Sequence, residues 1–467
     1  MKVTSSRILF VVYLFTIGHM AFSEESRCEK RLKQPPQVRP QSVYKLAEEL
    51  GPNQEPKIID TLHEQYGDIF QLRLPGYSSY IPGREWVPGE GLDVFINNRE
   101  GIETVLKNPD AFGRDWRGLV PLVGWNALIR FDESDPKQRL AWEKTHKAMA
   151  PFFTPANMKR RLDELQTMIK NNLREYLQRQ NDSSINLRQF TFFVAYTTSS
   201  QFLFGTAPEF AQVMRLQKRI EGMLDQDADV QSMGRKMLRL VNEAIAWNEA
   251  NSAPDSLYAM LKAAQESEKF PRGWVRDQMR NMLGAAFETT QDLTAAMLYE
   301  VGQRPVWADR LRQAAVRNNG EQPLYRLQEF MAFSNEALRV YPPVSGIIRF
   351  ARKDFVVNGR RILKGARVTL NLYSLHRANW GETADSFDPD RLDPQSCPMS
   401  RTNAILPFGT GSRVCIGQFF AKSMAVLTIG ELLNEFEIFT QDVPGEPFSY
   451  PSTMRVHPDL MLTLRQR

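Results

Sequence analysis

From Arg139 to about Arg317, apolar residues recur at spacings of three and four, the period of a helix with one buried face. The pattern predicts helices over Trp142–Met149, Ala156–Arg179, Phe190–Phe204, Phe210–Asp225, Met233–Asn251, Asp255–Ala264, Trp274–Gly302 and Pro305–Arg317, and one more over Leu324–Arg339. After Tyr341-Pro342-Pro343 the pattern shortens to strand-like runs, Phe355–Val357, Arg361–Leu363 and Arg367–Leu372, with the hairpin signal Asn358-Gly359 between the first two. A helix from Cys415 to about Phe436 and short terminal strands follow. Near the other end, Ile58–Tyr66 reads as an amphipathic helix stopping at Gly67-Asp68, and Ile69–Leu74 and Leu92–Ile96 read as strands. A helix to Leu106 ends before Asn108-Pro109. The expected fold class is mainly α with small antiparallel β-sheets. No linker divides the chain, so residues 43–467 are expected to form one large domain.

One segment breaks the pattern. Phe112 to Phe131 has no clear period yet carries Trp116, Leu119, Val120, Leu122, Val123, Trp125, Leu128 and Ile129. It is too apolar for a solvated tail, and either a loop closing over a hydrophobic ligand or a loop packed on its own core explains it.

The chain has 467 residues, 42% hydrophobic and 24% charged, with a net charge of +5, too dilute to argue for nucleic acid. Three cysteines, Cys28, Cys397 and Cys415, cannot build a disulfide framework, so the fold rests on its core.

At the N-terminus, Lys2 and Arg7 precede an apolar run from Ile8 to Ile17 that resumes through Phe22. At roughly 15 residues it is shorter than the ~20 of a standard span, and Ala21-Phe22-Ser23 suits signal cleavage. The basic cluster Arg27, Lys30, Arg31 and Lys33 instead favours an uncleaved anchor with the main body in the cytosol. Residues 1–23 are therefore an anchor or signal segment, and 24–42 a basic, proline-containing hinge.

The chemistry concentrates at Pro407-Phe408-Gly409-Thr410-Gly411-Ser412-Arg413-Val414-Cys415-Ile416-Gly417. Glycines allow sharp turns and close approach to a flat object, and Cys415 lies where a helix N-terminus would favour a thiolate. Such a sulfur is a metal ligand or a nucleophile.

Phe408 to Gly417 resembles the haem-binding signature of the cytochrome P-450 family, F-x-x-G-x-R-x-C-x-G, at every fixed position. Glu336-Ala337-Leu338-Arg339 resembles the family's E-x-x-R. Phe387-Asp388-Pro389-Asp390-Arg391-Leu392 is similar to F-x-P-x-R-F, with leucine at the end. Ala285-Ala286-Phe287-Glu288-Thr289-Thr290 resembles [A/G]-G-x-[D/E]-T-[T/S], with Ala286 where glycine is usual. Trp142-Glu143-Lys144-Thr145-His146 resembles W-x-x-x-R, with His146 replacing arginine.

The resemblance implies a cytochrome P-450 fold with haem b bound through Cys415 as axial iron ligand. Phe408, Arg413, Arg349, Trp142 and His146 would hold the cofactor, and Glu336, Arg339 and Arg391 would form a structural triad. Glu288 and Thr289 would serve proton delivery. The implied reaction inserts one atom of O2 into an apolar organic substrate. Electrons would derive from NADPH through a flavoprotein reductase or ferredoxin, docking on a basic face of Lys144, Lys147, Lys159, Arg160, Arg161, Arg401 and Lys422. Substrate would line against Phe112–Ile129, the long helix and Val344–Ile348. With the basic cluster, similarity to microsomal members places the protein on the endoplasmic reticulum membrane, facing the cytosol; the alternative is the secretory lumen. Two other functions fit the signature: rearrangement or dehydration of a peroxide without O2, and non-catalytic haem binding.

Overall fold

The computed structural model describes residues 33–50, 54–73, 91–114, 123–224, 230–392, 405–450 and 453–467. The anchor segment, Cys28, Cys397, Arg401 and Trp116 to Leu122 lie outside the described residues.

The helical body is built around Trp274–Gln303, flanked by Leu187–Phe204 on one side and Gln418–Glu435, which follows the cysteine loop, on another. The two flanking helices are buried along most of their length, with core residues on several faces of each. One large apolar cluster joins them, running from Phe190 and Phe193 through Leu293 and Met297 to Met424 and Ile429. A second cluster lies under the sheet, with Val94, Ile96, Val368 and Leu370 on it.

The six-stranded sheet runs in the order Gln37–Val38, Ile69–Leu72, Asp93–Ile96, Arg367–Asn371, Gly346–Ala351 and Phe112–Gly113. It is mixed rather than purely antiparallel. Gln37–Val38 pairs in parallel with Gln71–Leu72, and Asp93–Ile96 in parallel with Arg367–Leu370. The second pairing is possible because most of the helical body forms the crossover between its partners. The other sheets are small and antiparallel, and Asn358-Gly359 closes its hairpin with positive φ at both residues (45° and 72°).

Four further differences from the sequence reading have local causes. The expected helix Ala156–Arg179 is two, Pro155–Arg160 and Leu162–Leu177, parted at Arg161 (φ −98°, ψ 8°). The Arg161 side chain ion-pairs with Glu164 and lies over Phe152 and Phe202. Gly346–Ala351 is a strand, hidden from the alternation rule because it is central and half-buried on both faces. The fold also takes in Gln37–Val38 and the helix from Pro40, residues the sequence assigns to the hinge, because Val38 and Val43 are buried. Finally, the described parts of the apolar segment from Phe112 divide: Phe112 and Leu128 are core residues and Trp125 is 63% exposed.

Candidate functional site

The cysteine loop is a tight, hydrogen-bonded turn. Gly409 and Gly411 adopt φ of 72° and 76°, conformations that L side chains rarely take. They let the Cys415 N–H reach back to the Phe408 carbonyl at 2.9 Å. The helix begins at Gln418, so Cys415 precedes it by three residues. Cys415 carries exposed surface, yet burial pushes its thiol up, against the pull of the Gly417 N–H. A bound metal cation would pull the sulfur the other way, toward the thiolate.

Glu336, Arg339 and Arg391 come together as one buried network. Arg339 donates to both Glu336 oxygens at 2.8 Å, both side chains are fully buried, and Arg391 Nε lies 3.0 Å from Glu336 Oε1. The Asp388 N–H also donates to Glu336, and Arg339 donates to the Ala384 and Ser386 carbonyls. A residue the sequence reading missed links this network to the cysteine loop. His376, fully buried, accepts the Leu406 N–H through Nε2 at 2.9 Å, while its own carbonyl faces Arg339. Burial, helped by Arg377 and Arg339, pushes its pKa down to about 3, so the ring stays neutral and able to accept.

Arg349, Arg413, Trp142 and His146 also converge. The Arg413 guanidinium lies 4.2 Å from the Trp142 ring centre, and the Trp142 and His146 rings are 5.1 Å apart. Arg413 ion-pairs with Glu133 at 2.9 Å and donates to the Leu128 and Phe131 carbonyls; Ser412 holds the other Glu133 oxygen. Burial and then Arg413 lower the His146 pKa. A further residue, Arg114, joins them. Burial, Arg349 and Arg413 hold its pKa well below the ordinary value, and its Nε is buried without a hydrogen-bond partner. Arg349 is pushed to about 10, by burial and then by Arg413. Among the described residues Glu133 and Asp132 offset these three cations, and Asp132 already holds Arg352. Such a cluster is arranged to receive an anion. In the sequence Arg114 is one of three charges, with Asp115 and Arg117, at the start of an apolar segment, and nothing local sets it apart.

On the long helix, the run Gly284–Thr289 contains no buried residue, whereas all but Tyr299 are buried from Thr290 to Gly302. A Cβ added at Gly284 would meet nothing within 4 Å. Thr289 donates to the Ala285 carbonyl at 2.8 Å, and Glu288 accepts from Thr453 Oγ1 at 2.8 Å. Ala286 and Phe287, like Phe408, Ile416 and Phe419 of the cysteine region, are half-buried against the same core. Nearer its start, the helix grips the loop before the cluster. Asp277 accepts from the Asn126 N–H (3.0 Å) and side chain (2.9 Å), and Gln278 accepts from the Leu128 N–H (2.9 Å). Gly124, with φ of 89°, passes so close that a Cβ there would strike Asp277. Trp274 Nε1 donates to Thr145 at 3.1 Å, tying in the helix of Trp142 and His146.

The family model described as Cytochrome P450 matches residues 228–463, just over half of the chain. This chain belongs to the cytochrome P450 family. It is 27% identical to the bifunctional cytochrome P450/NADPH–P450 reductase 2 of Bacillus subtilis (strain 168), covering 91% of this chain and 40% of that protein. It is 22% identical to a cytokinin hydroxylase of Arabidopsis thaliana, covering 86% and 83%, respectively. With the cytochrome P450 monooxygenase FPY7 of Fusarium mangiferae it shares 24% identity over 77% of this chain.

Cytochrome P450 membership implies a haem-thiolate iron cofactor, and the residues present fit one. A cysteine sulfur, three partly uncompensated arginines suited to carboxylates and an open run in a buried helix that begins with the small residues Gly284, Ala285 and Ala286 are features that suit such a disc. The expected basic face is thinner than the sequence suggested. Lys422 donates inward to Asn335 at 3.1 Å, and burial pushes its pKa down to about 8. Arg161 is held by Glu164, and Lys144 by the Glu268 carbonyl and the Phe270 ring. Lys147, Lys159 and Arg160 are exposed as expected.

Proposed function

We propose that this chain is a haem-thiolate monooxygenase, inserting one oxygen atom from O2 into an apolar organic substrate with NADPH-derived electrons. One observation carries the reading. A braced cysteine loop, an arginine cluster and an acid–hydroxyl segment in the open run of the long helix join one core.

Haem b is the proposed cofactor, and once bound it supplies redox chemistry with O2 that side chains cannot, with a thiolate ligand favouring O–O cleavage. The protein's own residues do the rest. Cys415 ligates the iron. Arg349, Arg413 and Arg114 bind the propionates, and Trp142 with His146 holds the Arg413 guanidinium in place. Glu288 and Thr289 hold and pass protons, and Thr453 fixes the Glu288 rotamer. Ala286 and Phe287 offer apolar surface to substrate. A separate NADPH-dependent flavoprotein or a ferredoxin is the proposed electron donor, docking at Lys147, Lys159 and Arg160. The reductase fusion in the Bacillus relative's name supports the flavoprotein.

The reduced, CO-bound protein is expected to give the Soret band of a thiolate haem, and Cys415→Ser to abolish it; its absence from freshly purified wild type would overturn the ligation. Turnover should require NADPH, reductase and O2. Conversion of a peroxide without them would instead identify an isomerase or dehydratase. We further propose an uncleaved anchor at residues 1–23 on the endoplasmic reticulum, supported by the basic cluster from Arg27 to Lys33. A mature N-terminus at Glu24 would replace that with the secretory lumen.

A further inference from the structure

Asp292 lies one helical turn beyond Glu288, on the same face of Trp274–Gln303. It is 3% exposed, and its Oδ2 is enclosed without a hydrogen-bond partner. The neighbouring groups come from three directions. Glu288 faces it from its own helix, Arg188 from Leu187–Phe204 and Arg455 from the C-terminal segment. Tyr450, whose hydroxyl is also buried without a partner, is within electrostatic reach. Arg188 is shared with Glu221 at 3.3 Å. Thr453, which holds Glu288 at 2.8 Å, is two residues from Arg455, so one short segment serves both carboxyls.

We propose that Asp292 is a proton store behind Glu288, refilling it after Glu288 has given its proton toward the distal side of the haem site. The inference rests on the reading of Glu288 and Thr289 as proton-handling groups. Burial first, and the Glu288 charge second, push the Asp292 carboxyl up and favour its acid form, with Arg455 and Arg188 opposing. In the refilling step the O–H bond of Asp292 breaks and one forms on the Glu288 carboxylate. The negative charge moves to Asp292, where Arg455 and Arg188 face it, and a solvent proton restores the acid. Side chains one turn apart start about 5–6 Å from each other at Cβ, a gap that carboxyl rotation or one bridging water spans. Asp292 is thus a positioning residue for protons, acting through Glu288.

The competing role is a structural ion pair with Arg455, and Asp292→Asn in the haem-loaded full chain separates the two. For a neutral store, the substitution keeps shape and charge, so thermal stability should be unchanged; marked destabilisation would identify the ion pair and overturn the store. Infrared spectra should show a protonated-carboxyl C=O band that shifts in D2O and is missing in Asp292→Asn; an unaltered band pattern overturns the proposal. Product formed per NADPH should fall by roughly 10-fold, less than the ~100-fold or more contributed by a direct acid–base group, with the loss growing as pH rises. A yield and pH profile matching wild type overturns it. Asp292→Asn should add no further loss in a Glu288→Gln background. Should Glu288→Gln itself leave yield intact, the parent reading fails and this one with it. Should Glu288→Gln be damaging while Asp292→Asn is silent, only the store fails.

Discussion

Two groups of buried arginines stand on opposite footings in this molecule. Around Glu336, the guanidiniums of Arg339 and Arg391 meet a carboxylate that also accepts the Asp388 N–H, Arg339 donates further to backbone carbonyls, and the ion pair at the centre is fully buried. Around Glu133, Arg114, Arg349 and Arg413 crowd one another, and their mutual repulsion adds to burial in lowering the pKa values of Arg114 and Arg349. The first arrangement is complete in itself and serves the fold. The second stores unfavourable charge that an incoming anion relieves, which is the signature of a site. Burial alone does not distinguish structure from function; the balance of charge around the buried group does.

Substitutions should separate the two most sharply. Arg339→Ala leaves Glu336 charged and buried beside only Arg391, and is expected to cost about 3–5 kcal/mol by denaturant titration. A loss below about 1 kcal/mol would show that the triad is not the brace proposed here. Acid reaches the same brace through His376. Its folded-state pKa of about 3 lies below the unfolded value near 6.5, so the unfolded chain takes up the proton first. Stability should therefore fall as pH drops from 6.5 toward 3, by up to about 1.4 kcal/mol per pH unit, with loss of the thiolate-haem band along the same curve. A flat stability curve in that range would refute the linkage.

The arginine cluster should respond in the opposite sense. Arg349→Met removes one of three repelling cations, so the haem-free protein should hold or gain stability. Haem affinity should drop by about 2 kcal/mol, roughly 30-fold, by competition with an apo-haem acceptor. A destabilised apoprotein with unchanged affinity would make this cluster structural too. The smallest effect is expected where the long helix departs from the family's usual glycine. Ala286→Gly should cost about 1 kcal/mol of helix stability while changing product yield per NADPH. An unchanged yield would show that the Ala286 methyl does not restrict that surface.

Much of this was legible from the residues. The proposed chemistry sits in short segments whose spacing fixes them, so Cys415, Arg413, Glu336, Arg339, Arg391, Glu288 and Thr289 could be named as candidates before their placement was known. The helical body was legible because its period is strong. What stayed hidden depends on partners distant in the chain. His376 and Arg114 gain meaning only from Leu406 and from Arg349 and Arg413. Asp292 looks like an ordinary solvated helical acid until its burial is seen. Lys422 misled in the other direction: a cation in the right stretch of sequence turned inward to Asn335. The parallel pairing of Asp93–Ile96 with Arg367–Leu370 carries no local signal at all.

The grip of Asp277 and Gln278 on residues 126–128 has a consequence for the order of events. About 15 Å of continuous helix separates Gln278 from Glu288. Displacing that loop breaks hydrogen bonds to the same rigid rod whose middle carries Glu288 and Thr289, so a substrate large enough to need it moved is expected to enter and leave slowly. A molecule that leaves the latch closed spares that expense, so entry and departure rates, more than affinity, should rank the compounds this protein accepts.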